Sequence, residues 1–121
     1  MRVIIAGARC CNHYHVVCQA VRDSGFDITT VVSGGAAGVD MLGERYADEH
    51  GIPCERHPAD WGKYGRAAGP IRNHEMAQCA NALIAVLMGK SRGTRNMIQQ
   101  AREAGLPVYV AEVEIDKELY K

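Results

Sequence analysis

Ala82-Leu83-Ile84-Ala85-Val86-Leu87-Met88-Gly89-Lys90-Ser91-Arg92-Gly93-Thr94 is the stretch whose reading decides the fold. Ala82 to Leu87 is apolar throughout, as a strand covered on both faces must be, and such strands belong to parallel sheets. Met88 to Gly93 then reads as a loop. Thr94 is placed as the N-cap of a helix that carries Met97, Ile98, Ala101 and Ala104 and stops at Gly105.

Working outward, the same strand–helix alternation recurs. Val3 to Ala6 is a short apolar run ended by Gly7, followed by a helix over 13–24 with Val16, Val17, Ala20 and Val21 at helical spacing and Gly25 as its stop. Ile28 to Val32 is a β-branched run. The next helix starts near Gly38, buries Val39, Leu42, Tyr46 and Ala47, and closes at Gly51. Ile52 to Arg56 is a weaker third strand. An irregular stretch over 57–69 leads to a helix with Gly69 as cap and Pro70 at its first position, running to about Ala80. Pro107 to Ala111 is a fifth strand, and the charged tail from Glu112 reads as an edge strand or a frayed end. This order predicts an α/β architecture over residues 1–121 as one domain: a Rossmann-like doubly wound parallel sheet of about five strands with helices on both faces.

Composition narrows the function. The 121 residues carry 14 Lys plus Arg against 14 Asp plus Glu, and 47% are hydrophobic. The neutral balance argues against non-specific duplex binding, and with the apolar content it argues against disorder. No apolar run approaches the ~18 residues of a membrane span. Met1 to Gly7 is too short for a signal peptide and reads as the first strand. Five cysteines, an odd count with Cys10 and Cys11 adjacent, speak against a disulfide framework and for a reduced, cytoplasmic setting. Zinc is not expected, because no Cys-x-x-Cys pair exists, and the five histidines look structural or superficial.

In parallel sheets of this kind ligands bind outside the carboxyl ends of the strands, so the loops there carry the information. Ser33-Gly34-Gly35-Ala36-Ala37-Gly38-Val39-Asp40 lets backbone N–H groups approach an anion at a helix N-terminus. Asp40 suits the helix dipole and equally suits ribose hydroxyls. Gly89-Lys90-Ser91-Arg92-Gly93-Thr94-Arg95 holds three cations and no acid. Arg72, placed in a first helical turn, opposes the helix dipole and calls for an anion: an internal carboxylate such as Asp40 or Asp60, or a ligand phosphate held bidentately. Trp61 and Tyr64, in a glycine-rich loop, either stack on a base or plug the loop against the core. Arg9 adds a cation after the first strand. Segments 7–12, 33–40, 57–72 and 89–95 together hold seven basic residues against two acids, a local balance of +5 that leaves −5 for the rest of the chain.

These motifs resemble a known family. Gly7-x-Arg9, Ser33-Gly34-Gly35-Ala36-x-Gly38-x-Asp40, Pro58-Ala59-Asp60-Trp61, Gly65-Arg66-x-Ala68-Gly69-Pro70-x-Arg72-Asn73-x-x-Met76 and Gly89-x-Ser91-x-Gly93-Thr94 follow, in order, the pattern of the YspA/YpsA-related branch of the SLOG superfamily. That Rossmann-like superfamily is named for the Smf/DprA DNA-processing proteins and the lonely-guy phosphoribohydrolases. The resemblance spans roughly residues 2–111. It implies a site for nucleotides or nucleotide-derived ligands, ADP-ribose-like molecules among them, in a small bacterial or phage protein. Lonely-guy relatives are dimers, so a homodimer is admitted.

The implied ligand residues are Gly7, Arg9, Ser33, Gly34, Gly35, Ala36, Gly38, Asp40, Trp61, Tyr64, Arg72, Asn73, Gly89, Ser91, Gly93 and Thr94, with no resident cofactor or metal. One departure matters. Lonely-guy enzymes carry a glutamate three residues beyond the glycine–threonine pair, and here that position is Met97. A thioether neither acts as a general base nor stabilises an oxocarbenium ion. A nucleotide sensor or sequestering protein is therefore the first reading. A nucleotide hydrolase using Asp40 or Asp60 is the second, and a nucleic-acid or protein interaction module the third.

Overall fold

The computed structural model describes residues 1–113. Five strands, β1 (Arg2–Gly7), β2 (Thr30–Ser33), β3 (Cys54–Arg56), β4 (Ala82–Met88) and β5 (Val108–Val113), form one sheet in the order β3-β2-β1-β4-β5. Every neighbouring pair is parallel. The helices are α1 (Tyr14–Ser24), α2 (Val39–Glu49), α3 (Trp61–Tyr64), α4 (Ala68–Cys79) and α5 (Arg92–Glu103), with a 3₁₀ turn at Gly65–Ala67. This is the doubly wound, Rossmann-like α/β fold that the sequence predicts.

Strand alternation sorts the core into two layers. Val3 and Ile5 of β1 and Ile84, Val86 and Met88 of β4 pack with Val17, Ala20 and Val39 on the α1–α2 face. Ile4 and Ala6, with Leu83, Ala85 and Leu87, pack with Met76, Met97 and Ile98 on the α4–α5 face. All seven residues of β4 are buried, which is why its sequence shows no polar alternation.

Several boundaries differ from the sequence reading: β2 is Thr30–Ser33 rather than Ile28 to Val32, and β3 starts at Cys54 rather than Ile52. Residues 61–67 are helical rather than irregular, because Asp60 caps α3 through a 3.0 Å bond from the Lys63 N–H. α4 starts at Ala68, so Pro70 is its third residue and Arg72 its fifth. Proline is tolerated there because the first four helical N–H groups have no intrahelical acceptor. Ser91, not Thr94, occupies the N-cap position of α5, without a side-chain bond to the helix amides, and its hydroxyl lies 2.6 Å from that of Thr94, three residues on. β5 reaches Val113, so the tail begins as an edge strand; residues 114–121 lie outside the described part. Among the described residues no helix is long and apolar enough to cross a membrane.

The loops after β1 and β2 touch at Gly38, whose φ of 78° lies in the region that favours glycine. A Cβ there would sit 2.3 Å from the Ala8 carbonyl oxygen, which accepts a 3.1 Å bond from the Val39 N–H. Gly51 shares a positive φ (64°) but faces open space. Gly51→Ala is expected to cost about 1 kcal/mol in urea unfolding, and Gly38→Ala about 3 kcal/mol or more, strain plus clash. Equal costs would show that the two loops do not pack this way.

Candidate functional site

β1 and β4 are neighbours, yet the chain leaves β1 toward α1 and leaves β4 toward α5 on the opposite face of the sheet. Their carboxyl ends therefore open into a crevice, the switch point at which doubly wound sheets bind ligands. A cleft of about 360 Å³ lies there, and a second lobe of about 310 Å³ adjoins it toward the loop after β2. Arg9, Ala36 and Arg72 line both lobes.

Arg72 is the central side chain. α4 carries it under the loop after β2, where its Nη1 donates to the Gly34 carbonyl at 2.7 Å and its Nε donates to Asn73 Oδ1 at 3.0 Å. Gly34 makes room for it, since a Cβ there would lie 2.5 Å from Arg72 Nη1 and 2.9 Å from Asp40 Oδ2. The guanidinium is half-buried, and burial lowers its pKa from the ordinary value, with Asp40 opposing and Arg9 adding to the shift. Among the described residues no carboxylate lies within 4.0 Å of it. Its charge is thus compensated through space and by a neutral carbonyl, while the cleft side stays available to an anion.

Asp40, one residue into α2, is 6% exposed and accepts a 3.1 Å bond from the Ala36 N–H. Burial pushes its carboxyl up to about 6, against the pull of that N–H, Arg72 and Arg9; Glu44 adds to the rise. Asn73 is buried and ties α4 to α5, donating to the Gly93 carbonyl at 3.3 Å and to Asn96 Oδ1 at 3.0 Å. The first intrahelical bond of α5 runs from the Arg95 N–H to the Ser91 carbonyl, so the amides of Arg92, Gly93 and Thr94 have no intrahelical acceptor. These residues line the first lobe together with Lys90. The arrangement sets the open N-terminus of α5 and a half-buried arginine on the walls of one cleft, and helix N-termini are in general suited to anions.

Of the residues singled out in the sequence, Gly7, Arg9, Ala36, Asp40, Arg72, Asn73, Ser91, Gly93 and Thr94 line the first lobe. Gly34, Gly35 and Trp61 line the second, and Trp61 is half exposed with its ring edge over Gly69. Others serve the loops instead. Ser33 is fully buried and its hydroxyl donates to Glu44 while accepting from the Gly35 N–H. Gly38 joins the two loops. Tyr64 and Gly89 line neither lobe; the Tyr64 ring lies 5.0 Å from Lys63 Nζ. Asp60 is exposed and caps α3. Sequence reasoning counted Lys90 and Arg92 as rim charge without placing them on the ligand, and it left out the apolar wall of Ala8, Cys10, Met76 and Met88. Met97 is 1% exposed and also lines the cleft, at the position where lonely-guy enzymes carry glutamate.

The family model for the YspA, cpYpsA-related SLOG family matches residues 1–64. The Gene 61 protein of Mycobacterium phage D29 is 36% identical over 117 residues, covering 88% of this chain and 93% of its own. The chain belongs to the YspA, cpYpsA-related SLOG family. No solved structure matches it. The SLOG motifs quoted from the loops after β1 and β2 fall inside the matched region, while Arg72 and the α5 terminus fall in the part shared with the phage relative's longer alignment.

The buried carboxyl of this SLOG site gives a stability prediction. Asp40 has a folded-state pKa raised above its ordinary value, so its contribution is fully present at low pH and is lost as pH rises through about 6. Asp40→Asn is expected to stabilise the protein by about 1–3 kcal/mol above pH 7 and to leave it nearly unchanged at pH 4. Urea unfolding across this range checks the sign; destabilisation at pH 7 as large as at pH 4 would contradict it.

Proposed function

We propose that the two-lobed cleft binds a nucleotide or nucleotide-derived ligand, of the nucleoside phosphate or ADP-ribose class including cyclic forms, and that the protein acts as a sensor of that ligand or sequesters it. Membership of a SLOG family supports a nucleotide-related ligand in general. The observation that carries the finer reading is Arg72: half-buried, without a carboxylate in contact among the described residues, and open to a cleft whose far wall is the α5 N-terminus. Phosphate oxygens would take the amides of residues 92–94 and the Arg72 guanidinium, with Lys90, Arg92 and Arg9 at the rim. Asp40 would receive ribose hydroxyls, and Trp61, on the second lobe, would cover the base.

Calorimetry with AMP, ADP-ribose, NAD and cyclic ADP-ribose tests this. Binding of at least one is expected, and Arg72→Ala should weaken it about 10–100-fold, the worth of a lost charged hydrogen bond. Arg72→Lys should not restore it, since a lysine lacks the planar fork. A folded protein that gives no heat with any of the four would overturn the proposal.

A carboxyl titrating near neutrality at the cleft favours hydrolysis of the same ligand as a second reading, with Asp40 as acid or base. Incubation with the same nucleotides followed by chromatography separates the two. Intact ligand supports the sensor. Released base or phosphate, lost in Asp40→Asn, establishes the hydrolase, and turnover that survives both Asp40→Asn and Asp60→Asn rejects these carboxylates as its catalysts.

A further inference from the structure

A second cluster lies away from the cleft, where the C-terminal end of α4 comes beside edge strand β3. Glu55 lies in β3, His57 follows it directly, and Cys79 closes α4. One ligand atom from each falls within 4.8 Å of the others. His57 Nε2 is 2.9 Å from Glu55 Oε1, and Cys79 Sγ is 3.6 Å from that nitrogen and 3.9 Å from that oxygen. All three are partly buried; the His57 side chain is 20% exposed and that of Glu55 37%. Neither the cleft nor its proposed ligand uses any of them.

From this geometry we propose that Glu55, His57 and Cys79 bind a single divalent ion of the zinc class, with water in the fourth position. Zinc takes ligands tetrahedrally at about 2.3 Å to sulfur and about 2.0–2.1 Å to nitrogen or oxygen. Those lengths put a ligating sulfur roughly 3.5 Å from its nitrogen and oxygen neighbours, and the latter two roughly 3.3 Å apart. The observed triangle lies within a few tenths of an ångström of that face, so an ion can enter with small side-chain movements. Mixed sulfur, nitrogen and oxygen donors select zinc-class ions over magnesium or calcium, which want oxygen alone.

Arg2 supplies an outer shell. Its Nη2 pairs with Glu55 Oε2, leaving Oε1 for the ion, and its Nε donates to the Cys79 carbonyl at 2.7 Å. Ligands held by such partners are pre-oriented. On binding, the Cys79 thiol releases its proton to solvent and forms the metal–sulfur bond. His57 gives up the Nε2 contact to Glu55, offers that lone pair to the ion, and keeps its remaining proton on Nδ1. The ion would also fix the root of the 58–61 loop, which walls the second lobe of the cleft, because the His57 backbone N–H already bonds the Ser33 carbonyl at 2.8 Å.

Titration of metal-free protein with zinc sulfate, and separately with cobalt(II), tests the site. One equivalent per chain is expected, with a thiolate-to-cobalt charge-transfer band that disappears in Cys79→Ser and persists in Cys10→Ser. His57→Ala should weaken zinc by at least about tenfold, since even outer-shell losses cost that much. A readout independent of any variant is alkylation mapping of the wild-type protein: zinc should protect Cys79 from iodoacetamide and leave the exposed Cys10 reactive. Binding well short of one equivalent, a cobalt band that survives Cys79→Ser, or equal alkylation of Cys79 with and without zinc would each overturn the proposal.

Discussion

Parallel pairing of β1 with β4 is the constraint on which the rest of the structure depends. Residues Val3 to Gly7 run in register with Ala82 to Val86, at the centre of the sheet. Both strands are buried on both faces, so neither end can be closed by its own side chains. Crossovers of fixed hand then send the chain to opposite faces from two adjacent strand ends. The crevice between them is therefore a consequence of topology. What the sequence adds is its lining: small residues on the β1 and β2 loops, an open helix terminus after β4, and one arginine delivered by α4.

Delivery of Arg72 shows how distant parts of the chain cooperate. Its partner Gly34 is 38 residues away. The contact requires a glycine at 34, because any side chain would occupy the space that the guanidinium and Asp40 share. Asn73, next along α4, bonds the backbone of α5 and so holds the arginine and the helix terminus in one frame. The chain is electrically neutral, yet half of its fourteen cations lie in the segments at the strand ends, against two of its fourteen acids. A neutral protein can in this way present a local field suited to a small anion without the broad basic surface that a duplex demands.

The strand–helix order was legible because β1, β2 and β4 are largely apolar runs ending at or just before a glycine, and β4 in particular shows the unbroken hydrophobicity of a strand covered twice; β3, with Glu55 and Arg56 in three residues, is the weak one. The helices over 61–67 were not, since Trp61-Gly62-Lys63-Tyr64-Gly65 has neither apolar periodicity nor length, and the cap at Asp60 is a local hydrogen bond rather than a pattern. Pro70 misled because a first helical position is its commonest place, though the third is equally free of an intrahelical N–H demand. Ser91 and Thr94 are both good caps, and only the backbone chooses between them. At the site, a first-turn placement marked Arg72, although α4 begins two residues earlier than the sequence suggests and carries the arginine as its fifth residue, past the turn where the dipole opposes a cation; glycine runs marked the 34–38 and 89–94 loops. The same reasoning did not place the methionine wall at the site, since it reads as ordinary core, and could not bring Glu55, His57 and Cys79 together, because their proximity comes from the end of α4 lying beside β3 and from no spacing in the chain.

Backbone amide chemical shifts followed by NMR during titration with ADP-ribose and with AMP test the central claim most directly. The account predicts that the amides of residues 34–38 and 91–94 move together and saturate, with the Arg72 side-chain Nε–H among the resonances that shift. Saturable shifts confined to other surfaces, or none in either loop with both nucleotides, would contradict it.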